Sequence, residues 1–384
     1  MKPEVHIHTG ADGLLEIRDS WQALQHHHNS DYEHVLLVCG LLPEVIAPWA
    51  ATVWERDQCR ALVVGRLEHA VVRPDIGYAK LPGLRAKVVT IIHEGILGGL
   101  EENGADGVVG ALEEMLARRD VDVVFVHMLR EESALWPALR GRTIPAVGLD
   151  LPQWTTHREL TLKKEPDFLL RAMRSKHRSW VKRKERELEQ AYPEQVRWEW
   201  HSEVGDLGDL CSRMEVVARS TYQRGMGAGF VNDEITRNRL DLFARRSQLR
   251  ILLLGLDGVP SAYWLGAMYR GTFHAFATGY TPDVTKYEVG TLAFLRMVEE
   301  LVREGVGRLD FGLGDAYYKE RFADRSWREA SVQLFARTPK GRLLRRYLGM
   351  AARLENCARW VVKRLGIVDR VKAAWRARLR IQER

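Results

Sequence analysis

Cysteine is scarce and dispersed. Cys39, Cys59, Cys211 and Cys357 form no CxxC pair and show no spacing that suits a metal. That pattern excludes a disulfide framework and a zinc ribbon, and it sets the expectation of reduced thiols in a cytoplasmic protein that uses no metal. Long apolar runs are missing too. None approaches the roughly 18 residues that cross a bilayer, and Met1–His8 lacks the apolar core of a signal peptide. No Lys-Ser/Thr pair follows a glycine loop, so Gly95 and Gly98-Gly99, beside Ile96-Leu97, are candidates for a pocket loop and not a phosphate cradle. A Gly-x-Ser-x-Gly elbow is absent, and Cys211 sits mid-helix without a basic companion, which argues against a direct nucleophile.

What is present is the composition of a soluble globular protein, 46% apolar and 28% charged over 384 residues, long enough for two domains with their own cores. The net charge of +7 is unevenly placed. From Lys340 onward 14 Lys and Arg stand against 3 Asp and Glu, giving +11, so the remainder carries 7 − 11 = −4. The basic character therefore belongs to an appendix and does not make the whole chain a nucleic-acid binder.

Residues 1–152 read as mixed α/β. Pro43–Trp54 has a helical pattern, Arg60–Arg73 and Lys87–Ile92 read as strands, Gly107–Arg119 as a helix, Val121–Val126 as a strand and Glu131–Leu139 as a short helix. His26-His27-His28 reads as an exposed loop, because three consecutive residues do not face one ion. Thr143–Thr156, with Pro145, Pro152 and Trp154, reads as the crossing into a second domain over 153–338. That domain opens with a basic helix, Pro166–Ala191, in which Arg178 and Lys182 lie four apart on one face. The face is either simply solvated or turned toward phosphate or carboxylate. Next come a strand at Val196–Trp200, helices at Asp206–Tyr222 and Asn232–Arg246 around a glycine-rich loop (225–229), and strands at Leu249–Leu256, Pro260–Tyr269 and Thr272–Tyr280. Asp257-Gly258 and Arg270-Gly271 mark the hairpins between those three strands. A helix over Val289–Glu304 and a closing strand over Glu329–Arg337 complete the series.

Between those last two elements lies the most polar stretch of the chain, Leu309–Phe322. Val306–Phe311 reads as a buried strand, Gly312 and Gly314 as a tight turn, Asp315 as a helix N-cap, and Tyr317-Tyr318-Lys319 as the first turn of a short helix. Residues 339–384 form a basic amphipathic tail. Its apolar positions Leu343, Tyr347, Ala351, Leu354, Ala358, Val361 and Leu365 recur at three- and four-residue steps, and a second helix is expected from Asp369. The tail either packs on the protein or lies on anionic lipid.

Helix, helix, three antiparallel strands, helix, strand, helix, strand is an order that resembles the GNAT acyltransferase fold. The residues that carry the likeness are Ser175-Lys176-His177-Arg178, Asp257-Gly258-Val259-Pro260-Ser261-Ala262, Tyr287-Glu288-Val289-Gly290-Thr291-Leu292, Asp310-Phe311-Gly312, Gly314-Asp315 and Tyr318-Lys319. More narrowly, they resemble the acetyltransferase-like proteins of polysaccharide and cellulose biosynthesis, which are related to Fem-type peptidyltransferases.

The resemblance covers about Leu160–Arg337 and implies an α/β fold with a mixed sheet, the first half being a diverged GNAT-like copy. It implies an acyl-CoA donor, with acetyl the expected group, whose pyrophosphate meets the helix start at Lys286, Val289, Gly290, Thr291 and Leu292. The Gln/Arg-x-x-Gly-x-Gly/Ala signature of GNAT enzymes is missing there, and Fem-type relatives take aminoacyl-tRNA instead. It implies that Tyr318 or Tyr317 is the acid that protonates the leaving thiolate, that Lys319 orients substrate or stabilises charge, and that Asp310 or Asp315 serves as base or orients the acceptor. Arg178, Lys182, Tyr280, Gly312 and Gly314 are the residues expected around the acceptor, an amino or hydroxyl group of a sugar or envelope precursor. A non-catalytic accessory protein that keeps the fold is the remaining alternative.

Overall fold

The computed structural model describes residues 3–76, 79–140, 153–221, 224, 229–314 and 316–364. In chain order its strands are β1 (Glu4–Thr9), β2 (Val45–Glu55), β3 (Gln58–Val72), the two-residue β4 (Asp75–Ile76) and β5 (Ala79–Lys80), β6 (Leu84–Gly98), β7 (Val123–Arg130), β8 (Thr155–Thr161), β9 (Val196–His201), β10 (Leu249–Leu256), β11 (Val259–Tyr269), β12 (Thr272–Tyr280), β13 (Arg308–Asp310) and β14 (Arg325–Phe335). The described residues divide into two compact units. Unit 1 takes 3–156 together with 327–364, and unit 2 takes 157–326.

Unit 1 is a sheet in the order β1-β2-β3-β6-β7-β14. Neighbours run antiparallel except β6 and β7, which are parallel and joined through helix Glu102–Ala117. Side chains alternate between two cores, as the two-residue strand period requires. Trp49, Ala51, Val53 and Val63 pack with Val108 and Leu112 of that helix on one face. Ala50, Leu62 and Val64 pack with Leu14, Trp21 and Val35 on the other. This alternation is why residues 45–55 form β2 and not the expected helix: both faces of the segment are buried, and β1 and β3 satisfy its backbone on either edge. The helix of this region is Tyr32–Leu41 instead, where Asp31 accepts from the His34 amide.

Unit 2 repeats the arrangement as β9-β10-β11-β12-β13-β8, again with one parallel step, β12 to β13, spanned by helix Val289–Arg303. Leu252, Leu254 and Trp264 face that helix and helix Ser175–Ala191. Ile251, Leu253, Tyr263 and Leu265 face helices Leu207–Arg219 and Glu234–Arg245. Both hairpins fall where the sequence marks them. Asp257 and Gly258 (φ 52° and 73°) and Arg270 and Gly271 (46° and 78°) adopt the left-handed pairs that match strand twist.

Each unit's sixth strand is antiparallel to the fifth, and the two strands come from unexpected places in the chain. The strand expected to close the second half pairs with β7 of unit 1, from Glu329↔Arg130 to Phe335↔Val123. In unit 2 the corresponding edge of β13 is taken by β8. Two further expectations are corrected. Pro166–Ala191 is not one helix, because Met173 and Arg174 are extended (ψ 145° and 143°) between Phe168–Ala172 and Ser175–Ala191. His27 and His28 are buried, not exposed, and the His27 imidazole accepts from the Asn29 amide. The tail helix is Pro339–Arg364, with Leu344 and Leu348 packed on Ala86, Val88, Val123 and Phe335 of unit 1. The 143–152 crossing, the glycine-rich residues 225–228 and the expected helix from Asp369 lie outside the described residues. Among the described residues no helix is long and apolar enough to cross a membrane.

Candidate active site

In unit 2 the parallel pairing of β12 with β13 stops at His274↔Asp310, while β12 runs on to Tyr280. The two strands part at that point, and backbone edges open between them. Helix Val289–Arg303 starts beside the opening. Glu288, its left-handed N-cap residue (φ 56°), makes no side-chain cap, and no acidic residue stands in the first turn. The helix therefore presents free amides and the positive end of its dipole. Lys286 precedes it and shares a shallow surface hollow with Lys184 and Tyr287. Val289 and Leu292 are buried in the core, so they can offer only backbone groups. A Cβ on Gly290 would stand 2.8 Å from Cε1 of Tyr280, so glycine is what lets the half-exposed tyrosine ring lie against the helix start.

Opposite lies the glycine turn. Gly312 has φ 67°, and a Cβ there would meet the Ala275 carbonyl oxygen at 2.9 Å, so both conformation and space require glycine. Asp310 fixes the turn from below, with Oδ1 accepting from the Gly312 amide (2.7 Å) and bonded to Nε2 of His157 (2.6 Å). Nδ1 of His274 lies 3.4 Å from its other oxygen. Burial would push the Asp310 carboxyl up, but the bonds to His157 and His274 and their charges outweigh it and hold it well below the usual carboxylate range. A buried, committed carboxylate of this kind is a poor base, so the expectation that Asp310 deprotonates an acceptor is corrected: it anchors the turn.

Lys319 does likewise. It is 6% exposed, and its ammonium donates to the carbonyls of Gly312 (3.1 Å) and Leu313 (2.7 Å). The role expected for it at the substrate becomes one of holding the turn. The two tyrosines are separated clearly. Tyr317 is 80% exposed, whereas the Tyr318 ring is held by Trp264, Phe294 and Phe311 at centroid distances of 6.0, 6.2 and 5.9 Å. Helix Tyr317–Phe322 takes Ala316 as its uncapped N-cap residue, Gly314 turns with φ 90°, and Asp315 lies outside the described residues.

The basic helix runs beside this region but brings different residues to it. Its C-terminal half places Lys184 next to Lys286, and Tyr192 meets the Tyr287 ring at 6.2 Å. Lys182 is exposed, and Arg178 donates to the Arg171 carbonyl (3.3 Å), so neither is drawn to the glycine turn by a bond. Sequence reasoning did not single out Lys184, the aromatic enclosure of Tyr318, or His157 and His274. Lys184 is one of eight cations over Pro166–Ala191, and the histidines come from strands remote in sequence.

A family model described as an acetyltransferase (GNAT) domain matches residues 175–320. No curated protein matches the sequence. Similar solved structures include FemX, 10% identical over 84% of this chain and 99% of that one, with a TM-score of 0.53. They also include a tandem GNAT protein from the clavulanic acid biosynthesis pathway (12%; 87% and 99%; 0.48) and a GCN5-related N-acetyltransferase from Sphaerobacter thermophilus (13%; 87% and 96%; 0.43). Residues 175–320 thus match a GNAT acetyltransferase domain, and the fold is a GNAT-like α/β fold with a mixed sheet in each unit.

Proposed function

We propose that unit 2 transfers an acyl group, acetyl in the first instance, from acyl-CoA to an amino or hydroxyl group of a sugar or cell-envelope precursor. The observation that carries the donor half is the parting of β12 and β13 next to a helix start with no side-chain cap and no acidic residue in its first turn, with Lys286 beside it. Amides of Val289 and Gly290 suit phosphate oxygens, the Thr291 amide being bonded to the Glu288 carbonyl (2.9 Å), and Lys286 adds charge where the usual glycine signature is missing, Lys184 being paired with Glu187 (2.8 Å).

The chemistry assigned to the chain's own residues is brief. The acceptor's lone pair attacks the thioester carbonyl, the C–S bond breaks, Tyr318 gives its phenolic proton to the departing thiolate, and the proton that the acceptor loses passes to solvent, from which Tyr318 is reprotonated. Asp310 and Lys319 act as positioning residues that keep Gly312 and the tyrosine helix in register. Arg178, Lys182 and Tyr280 remain the acceptor-side candidates. The acceptor class rests on the likeness of the motifs at 175–178, 257–262 and 287–292 to polysaccharide-biosynthesis acetyltransferases. Calorimetry with acetyl-CoA tests the donor half. Saturable binding that Lys286→Glu weakens about tenfold supports it, whereas no binding at about 1 mM removes it. Salt-sensitive tRNA binding without acetyl-CoA binding would move the assignment to a Fem-type donor.

The tail helix supports a peripheral membrane contact. Besides its packed stripe, Pro339–Arg364 bears a second one, Leu343 (57% exposed), Met350 (64%) and Leu354 (58%), flanked by Arg342, Arg346 and Arg353. Such a face suits the surface of an anionic bilayer, with arginines at headgroup level.

A further inference from the structure

Unit 1 contains a parting of parallel strands of its own, and there it encloses a cavity. β6 and β7 pair from Val88↔Val123 to Ile91↔Val126 and then separate. Beyond that point β6 bulges: its register against β3 jumps from Gly65↔Ile91 to Val63↔Ile96, with Glu94 left-handed at φ 58°. The space left between the strands is a cavity of about 390 Å³, within the size range of small-molecule sites. Its lining includes the apolar Ile91, Ile96, Val126 and Leu129 and the polar group formed by Glu94 with His26 and Arg130.

The charge pattern there is opposite to that of unit 2. Glu94 is buried, and Oε1 takes Nε of Arg130 at 2.9 Å while Oε2 lies 3.3 Å from Nε2 of His26. Among the described residues that line the cavity Arg130 is the one lysine or arginine, and Glu132 adds a second carboxylate. His93, behind Glu94, stands 3.9 Å from it and 3.3 Å from the fully buried Glu329. His127, which also lines the cavity, is pushed down to about 4 by burial, then by the His93 and Arg66 charges, and so is neutral at pH 7. The helix that follows β6 begins with Glu101 as N-cap residue and Glu102 in its first turn. Two carboxylates thus stand at this start, against the single N-cap Glu288 of the unit 2 helix, and they disfavour a phosphate there.

We infer that this cavity binds a small protonated amine with an apolar body and rejects phosphate-bearing ligands. The ammonium would sit at Glu94, sharing the carboxylate with Arg130 and His26 and accepting help from the neutral His127 ring, while the carbon chain lies on the isoleucine and leucine side chains. This inference stands apart from the acyl-transfer reading, because its readout is binding to unit 1 and requires no turnover.

The test is calorimetry of the full chain with n-hexylamine, n-hexanol, n-hexanoate and CoA at pH 7. Hexylamine is expected to bind saturably and at least about tenfold tighter than hexanol or hexanoate. Glu94→Gln should abolish that preference for the amine over the alcohol. Ala134→Trp, at the cavity wall, should weaken amine and alcohol alike, and it serves as the variant that leaves the ion pair intact. CoA added beforehand should leave amine binding unchanged. The inference is overturned if hexylamine fails to saturate by about 10 mM, if hexanoate binds as well as the amine, if CoA displaces the amine, or if Ala134→Trp binds it as the parent chain does.

Discussion

Glu94 offers a measurement in which the size of the effect follows from the structure. Burial alone would push its carboxyl up, but the His26 hydrogen bond and the Arg130 and His93 charges outweigh burial and bring it down to about 2 from an ordinary 4.5. A carboxyl whose folded value is depressed contributes stability above its unfolded value and loses it as pH falls toward the folded one. Here the window is about pH 4.5 to 2. That difference corresponds to about 3 kcal/mol at neutral pH. At pH 3.5 the linkage relation leaves about 2 kcal/mol, a loss of about 1 kcal/mol from this group alone. His127 loses stability in the same direction but higher, between about pH 6.5 and 4, because its folded value is also depressed. Subtraction of the Glu94→Gln variant cancels that contribution. The assay is urea unfolding of both proteins at pH 7, 5 and 3.5, followed by tryptophan fluorescence. Parallel loss of stability in the two, with no extra 1 kcal/mol or so in the parent at pH 3.5, would refute the account of Glu94 as a strongly held anion.

Other outcomes are expected in unit 2 and the tail. Lys319→Met removes two charge-assisted bonds to the 312–313 carbonyls and should destabilise the chain by about 2 kcal/mol in denaturant titration, with Gly312→Ala costing roughly 1–3 kcal/mol through its φ of 67°. Under the proposed function Tyr318→Phe should lower kcat roughly 100-fold or more with KM nearly constant, and Tyr317→Phe should change little; full activity in Tyr318→Phe removes the tyrosine acid. Asp310 contributes stability above about pH 4 that is lost as pH falls further, so acid unfolding of Asp310→Asn should start from a lower plateau and be flatter below pH 4. Replacing Leu343, Met350 and Leu354 together by Glu should abolish flotation with anionic vesicles; equal flotation of parent and variant sinks the membrane contact.

Much of unit 2 was legible because its signals are local. Asp257-Gly258 and Arg270-Gly271 announce their hairpins, and Val289–Arg303 has a clean helical face, with nine buried apolar residues on one side. The tyrosine turn was found for the same reason: glycines, aromatics and a lysine stand together in sequence. β2 was misread because a run apolar on both faces, such as Trp49–Val53, has no period to read. Lys319 and Asp310 look like chemistry in sequence, and only their bonds to Gly312 and Leu313 and to His157 reveal a supporting role. A partner 153 residues away, as His157 is from Asp310, leaves no trace in a local pattern, and neither do His26 and Arg130, 68 and 36 residues from Glu94.

The origin of the sixth strands bears on how the chain comes off the ribosome. When residues 3–156 have emerged, β7 still lacks β14, which is made only after the whole of unit 2. Until then the nascent first unit carries an open edge along Val123–Arg130, rich in β-branched residues and unguarded by proline or lysine. Unit 2 has its β8 already in hand and can close as soon as β13 appears. The later-synthesised half should therefore mature first, a reversal of the usual N-terminal-first order. An N-terminal fragment cut at the apparent boundary should aggregate, whereas one ending after Phe335 has every strand it needs.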